Sequence, residues 1–138
     1  MTISRYSAKV VGVHQLTHDV RQIDFELIEP PEIRFKAGQF VSFDVPDVRT
    51  GRIVTRPYSI ASPPSSSRTI SLLLNLVPNG PGSTYLFGLR EGNETKFAGP
   101  AGNFYLRDDS GRDLLFVATG TGIAPLRSML FANAERST

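Results

Sequence analysis

Through most of the first hundred residues, apolar side chains fall at every second position. Ile23, Phe25 and Leu27 alternate with Gln22, Asp24 and Glu26, and Val41, Phe43 and Val45 alternate with Ser42 and Asp44. A period of two marks a strand with one buried face. Tyr6 to Val13 reads as an earlier strand and Arg52 to Ala61 as a later one. Ile70, Leu72, Leu74 and Leu76 alternate with Ser71 and Asn75, although Leu73 interrupts the polar side. Thr95 to Ala98 makes a sixth strand. Glu29-Pro30-Pro31-Glu32, Pro46 to Gly51 and Ser62 to Ser67 separate these runs with turn-forming residues. Short strands at close spacing predict a mainly β fold, an antiparallel barrel or sandwich.

Two segments depart from that period. Asn79 to Thr84 is rich in glycine, and Tyr85, Leu86 and Leu89 follow at helical spacing, so a short helix is expected with Ser83 or Thr84 as its cap. Asp113 to Thr119 is a continuous apolar run, as in a strand buried on both faces. Gly120-Thr121-Gly122 follows, then Ile123, Leu126, Met129 and Leu130 at helical spacing, with Pro125 suited to a first helical turn. The change of class divides the chain into residues 1–110 and 111–138. Gly99-Pro100-Ala101-Gly102 is expected to be a structural turn.

Composition narrows the function classes. The 138 residues are 40% hydrophobic and 20% charged, as in an ordinary soluble globular protein with a real core. Net charge is +2, and twelve of the fifteen basic residues are arginines scattered along the chain. A nucleic-acid binder concentrates such residues on one face, so none is expected as partner. With no cysteine, thiol catalysis, cysteine-held iron–sulfur clusters and disulfides are excluded from these residues. His14 and His18 lack the further ligands of a metal site. No apolar stretch approaches the ~20 residues of a membrane span. Met1 to Tyr6 is short and polar, unlike a signal peptide, so a cytoplasmic location is expected.

Candidate chemistry gathers in three places. Arg56-Pro57-Tyr58-Ser59 offers a fixed cation, a flat ring and a hydroxyl within four residues. A flavin dinucleotide needs charge for its pyrophosphate, a face for its ring and a hydrogen-bond partner for its reactive edge. Arginine matches phosphate in a planar fork, and a tyrosine face stacks on a heterocycle. The plainer alternative is a strand with an exposed arginine and a partly buried tyrosine. Gly82-Ser83-Thr84 would bring a glycine-rich turn to a helix amino end, which favours anions; the alternative there is a capped helix closing a barrel mouth. Gly120-Thr121-Gly122, between strand and helix, suits a nucleotide phosphate, although Pro125 stands where a dinucleotide fingerprint has its third glycine. Strict alternation puts Arg56 and Tyr58 on one face of their strand and Ser59 on the other. Both faces serve one ligand only if it lies across the strand's end or if the strand kinks near Pro57.

Arg56-Pro57-Tyr58-Ser59, Gly82-Ser83-Thr84-Tyr85-Leu86, Gly99-Pro100-Ala101-Gly102-Asn103-Phe104 and Gly120-Thr121-Gly122-Ile123-Ala124-Pro125-Leu126, in this order, resemble the ferredoxin–NADP reductase family of flavoproteins. Gly99 to Leu106 is most similar to reductase components of bacterial ring-hydroxylating oxygenases. The resemblance implies a six-stranded Greek-key barrel that holds FAD, followed by a Rossmann-like NAD(P)H domain of which only the first strand–helix unit is present. It implies that Arg56 holds the FAD pyrophosphate, that Tyr58 lies against the flavin, beside Pro57, and that Ser59 hydrogen-bonds the flavin N5. Asn75 and Leu76 would meet the cofactor mainly through backbone. Gly82, Ser83 and Thr84 would give the pyrophosphate a helix amino end. Thr121 would sit where flavin and nicotinamide meet, with Gly120, Gly122 and Pro125 shaping the NAD(P) loop.

The implied activity is hydride transfer from NAD(P)H to FAD, then electron transfer to a partner such as a ferredoxin, an oxygenase or a haem protein. A non-catalytic flavin- or nucleotide-binding electron-transfer or regulatory subunit is the alternative, and a cofactor-free barrel a third. A full nucleotide domain needs roughly another hundred residues, so slow turnover with NAD(P)H is expected of these residues alone. The apolar run 113–119 lacks the sheet neighbours of such a domain. It is expected to dock on the barrel, to pair with the rest of that domain or a second chain, or to be poorly ordered.

Overall fold

A computed structural model describes residues 3–107 and 111–136. Six strands are present: β1 (Ser4–Gln15), β2 (Val20–Glu29), β3 (Phe40–Asp47), β4 (Arg52–Ser59), β5 (Thr69–Asn75) and β6 (Glu94–Ala101). Two helices, α1 (Pro81–Phe87) and α2 (Ile123–Arg136), complete the described elements, with Gly120–Gly122 forming a single 3-10 turn before α2. All strand pairs are antiparallel, in the order β4-β3-β6-β1-β2-β5. Insertion of β6 between β3 and β1 is the Greek-key crossover that the resemblance implies.

The sheet curls until its two edges approach. Ile60 bridges Leu72 just past the end of β4, and the Ala61 N–H donates to the Ser71 carbonyl at 2.8 Å. The barrel therefore closes at one end of β4 and stays open along the rest of it. Helix α1 lies at that opening, against β3, β4 and β5, with Leu86 fully buried.

The alternating residues face inward as expected. Ile23, Phe25, Phe43, Ile70, Leu72 and Leu74 have no exposed surface. Each such side chain contributes roughly 1.5–3 kcal/mol by burial. Phe43 sits at the centre of an aromatic group, 5.4 Å from Phe97 and 6.0 Å from both Phe25 and Tyr58, measured between ring centroids.

Four local expectations need correction. Neither Ser83 nor Thr84 caps α1; Gly80 holds the cap position without a side-chain bond and Pro81 opens the helix. Proline suits that place because its missing N–H would have had no partner. The predicted turn at Gly99–Gly102 is instead partly strand, because β6 continues to Ala101, which pairs with Phe40. Gly99 lets the strands approach: a Cβ there would come within 3.1 Å of the Phe40 carbonyl.

Residues 112–119 do not form the expected strand. They are irregular, and Leu115 and Val117 are 88% and 81% exposed, so the segment is not docked on the barrel. A buried strand of a parallel sheet exists only with ladder partners on its sides, and the described residues supply none. In α2 the buried face is Ala124, Leu126, Ser128 and Met129, whereas Ile123 and Leu130, expected inside, are 42% and 49% exposed.

Candidate functional site

Strand β4 pairs with β3 without a register break from Arg52 to Ser59, so Pro57 causes no bulge. The alternation therefore survives. Arg56 and Tyr58 share the face that carries Ile60 into the core, and Ser59 points the other way from the last position of β4. With the kink excluded, a ligand lying across the strand's end is the geometry that remains of the two the sequence allowed.

The Tyr58 ring stands edge-on to Phe43 and is half-buried. Burial pushes its phenol above the usual tyrosine range, and the nearby Arg56 charge pulls it partly back. Arg56 is exposed and donates from Nη1 to its neighbour's carbonyl, Thr55, at 3.0 Å. Among the described residues no carboxylate pairs with it. The Ser59 hydroxyl has no protein partner among the described residues, and since no buried side-chain polar atom lacks one, it reaches solvent.

Helix α1 meets this group at Gly82. A Cβ built there would collide with the Tyr58 hydroxyl and lie 3.0 Å from both Cβ and Cγ of Arg56. Glycine is required because the first turn of α1 seats directly on the arginine stem and the phenol. That contact brings the amino end of α1 to Arg56 and Tyr58, where the N–H groups of a first turn find no intrahelical carbonyl.

Ser83 is buried and fully engaged. Its hydroxyl accepts from the Val77 N–H at 3.0 Å and faces the carbonyls of Val77 and Gly80. Only its backbone remains for a ligand. Thr84 is exposed, and its N–H already donates to the Gly80 carbonyl. Asn75 and Leu76, at the end of β5, are exposed, but the Leu76 N–H is spent on the Asp19 carbonyl at 2.8 Å.

The Gly120–Gly122 turn lies beside β5. Gly120, with φ 55°, occupies the left-handed region that favours glycine. Thr121 is half-buried and Pro125 is buried in the first turn of α2. A separate hollow of about 340 Å³, lined by Val13, Arg21, Phe87 and Arg90, sits at the other end of α1. There Arg21 stacks on Phe87 and donates to its carbonyl, closing the helix carboxyl end.

Residues 7–105 match the family described as oxidoreductase FAD-binding domain. The chain belongs to that family. It is 41% identical over 128 residues to ferredoxin–NADP reductase B of Sorangium cellulosum, covering 93% of this chain and 52% of that protein. It is 37% identical over 126 residues to a glycine betaine monooxygenase reductase subunit of Pseudomonas aeruginosa, covering 91% and 34%. Among solved structures, a cytochrome P450 reductase from Amycolatopsis superposes with a TM-score of 0.83 at 29% identity, covering 97% of this chain and 40% of that one. The chain thus spans between a third and about half the length of these proteins. The family match bears out the resemblance in fold and cofactor.

The sequence did not point to Gly38, Gln39, Arg127 or Ser128. Gly38 adopts φ 110°, and a Cβ there would overlap the Phe104 carbonyl and approach Met129 Cε to 2.6 Å. Fully buried Gln39 donates to the Gly102 carbonyl at 3.0 Å and accepts from the Lys36 N–H at 2.9 Å. Together they join the loop before β3, the segment after β6 and α2. A positive-φ glycine beside a buried amide leaves no period or motif in a sequence. Among the described residues no cluster of metal-ligating side chains occurs, and no described helix is long and apolar enough to cross a membrane.

Proposed function

We infer that these residues are the FAD-binding part of an NAD(P)H-dependent reductase that passes electrons to a protein partner. The observation that carries this reading is the seating of α1 on Arg56 and Tyr58 through Gly82. It gathers an unpaired guanidinium, a half-buried ring and the first-turn N–H groups of a helix at one opening of the barrel. A dinucleotide with a charged pyrophosphate and a flat ring fits that set of donors.

The chemistry FAD supplies when bound is acceptance of a hydride from NAD(P)H and release of its two electrons singly. The protein's own groups bind and orient. Arg56 forks onto the pyrophosphate, assisted by backbone N–H groups at Gly82 and Ser83. Tyr58, held in place by Phe43, gives the flavin a face that excludes water from one side. Ser59 offers its uncommitted hydroxyl at the flavin N5, and Asn75 and the Leu76 carbonyl line the rim. Gly120, Thr121, Gly122 and Pro125 present the nicotinamide nucleotide.

Residues 1–110 form the flavin domain in this reading, and 111–138 open a nucleotide domain. Exposed Leu114, Leu115 and Val117, with Leu130 and Phe131 on α2, are covered by the sheet and helices of that domain or by a second chain. Names of similar proteins support a ferredoxin, an oxygenase or a haem protein as electron acceptor.

Arg56→Ala tests the reading. Hydrogen bonds to a charged group contribute roughly 1.5–3 kcal/mol, so FAD affinity, measured by quenching of flavin fluorescence, should weaken about 10- to 100-fold. Arg56→Lys should recover only part, for want of the planar fork. An unchanged affinity in Arg56→Ala, or a wild-type chain that ignores both FAD and FMN, would refute it.

A further inference from the structure

Helix α2 is fastened to the barrel by two consecutive side chains. The buried Ser128 hydroxyl donates to the Ser62 carbonyl at 2.7 Å, and Arg127 Nη1 donates to the Ala61 carbonyl at 2.9 Å. The Arg127 guanidinium is itself held over the Phe131 ring at 4.7 Å. Both acceptors belong to the rigid wall. The Ala61 N–H donates to the Ser71 carbonyl at 2.8 Å, and the Ser71 N–H donates to Ser62 Oγ at 3.0 Å.

The chain geometry gives these bonds a consequence. Ser128 lies seven residues beyond Thr121, about 10 Å along a helix at 1.5 Å per residue. Ser62 lies three residues beyond Ser59, also about 10 Å of extended chain. The two clips therefore link α2 to the chain just past Ser59, and the Gly120–Gly122 turn at the start of α2 lies beside β5, whose Leu72 bridges Ile60. Apolar contacts at Leu126 and Met129 hold α2 against the barrel but allow it to slide, because burial is non-directional. Hydrogen bonds to two successive carbonyls do not, since a slide leaves buried donors and acceptors unpaired.

We propose that Arg127 and Ser128 are positioning residues that fix the distance between the nicotinamide-presenting loop and the hydride-accepting edge of the flavin. The proposal rests on the reading of Ser59 and Thr121 given above. Reacting atoms must approach to about 3–3.5 Å, and a misplacement of 1 Å costs about 100-fold in rate. Without the clips the loop wanders by such amounts, while the flavin site, built on β4 and α1, is untouched.

The experiment compares the FAD-loaded wild-type chain with Ser128→Ala, Arg127→Met, the double variant and Arg127→Lys. Spin labels on cysteines introduced at exposed Thr55 and Thr119, in a chain that has no other cysteine, report the barrel-to-loop distance by pulsed dipolar spectroscopy. The double variant should broaden or shift a narrow wild-type distribution. Anaerobic single-turnover reduction by NADPH and by NADH should slow about 10- to 100-fold at saturating nucleotide, with the half-saturating concentration within about threefold and FAD affinity within about twofold. Arg127→Lys should restore most of the rate in the single-site comparison. Unchanged distances and rates, a raised half-saturation at constant limiting rate, or weakened FAD binding would each overturn the proposal. A wild-type chain that takes up no FAD would sink the underlying reading and the proposal with it. Normal wild-type reduction with equally fast variants would sink the proposal alone.

Discussion

Gly82→Ala is the sharpest perturbation of the site, because two effects of known size oppose each other there. Helix propensity favours alanine over glycine by about 1 kcal/mol in a helix interior, and Gly82 does not need a left-handed backbone. Propensity alone therefore predicts a more stable protein. The packing predicts otherwise. The new methyl would strike the Tyr58 hydroxyl and press on Arg56 Cβ and Cγ, each 3.0 Å away. Overpacking of this kind costs roughly 1–3 kcal/mol, so the net loss in urea unfolding should be about 0–2 kcal/mol. Relief comes only if α1 lifts or if the tyrosine and arginine turn aside, and either motion takes apart the proposed flavin cradle. FAD affinity should then fall at least about tenfold, equivalent to ~1.4 kcal/mol. Gly92→Ala is the control: at φ 90° it strains the backbone, yet its Cβ would meet nothing within 4 Å. It should lose about 1–2 kcal/mol of stability and no FAD affinity. Equal FAD affinity in Gly82→Ala and wild type would refute the claim that α1, Arg56 and Tyr58 make one site.

The remaining predictions concern the frame around that site. Asp24 accepts from Ser71 Oγ at 2.7 Å and from Gln22 Nε2 at 2.9 Å, and faces His14 Nε2 at 3.0 Å. Burial pushes its carboxyl upward, but these bonds and the His14 charge outweigh it and hold the group below the usual aspartate range. The unfolded chain therefore takes up this proton first, so stability should fall as pH drops from near 4 through the folded-state value. Asp24→Asn should flatten that part of a pH series of urea unfolding curves, and an unaltered acid limb would count against the network. For the segment at 112–119, Leu115→Lys with Val117→Lys should leave FAD affinity intact and shift unfolding by no more than about 0.5 kcal/mol, as exposed positions do. The same pair should abolish any self-association seen in sedimentation of the wild type; association that persists would place the contact elsewhere.

The strands were legible because each needs only a period of two and a punctuating turn. Ile23-Phe25-Leu27 and Val41-Phe43-Val45 state which face is buried without reference to any neighbour. The Arg-Pro-Tyr-Ser stretch was legible for a similar reason, since its three chemical groups are adjacent in the chain. Residues 113–119 show where that kind of reading stops. Their composition is that of a buried strand, but a strand exists only through its ladder, and no ladder partner is present among the described residues.

By itself, then, the order of residues determined the six barrel strands and the face each buries, and set a guanidinium, a phenol ring and a hydroxyl side by side at Arg56, Tyr58 and Ser59. These follow from local periodicity and covalent proximity. The tertiary structure alone decided that Gly82 seats on Arg56 and Tyr58, that the Ser83 hydroxyl is consumed by Val77 and Gly80, and that Arg127 and Ser128 grip Ala61 and Ser62. The grip joins residues 66 positions apart. Such contacts depend on where the curl of the sheet brings distant backbone, a quantity that no short window of sequence contains.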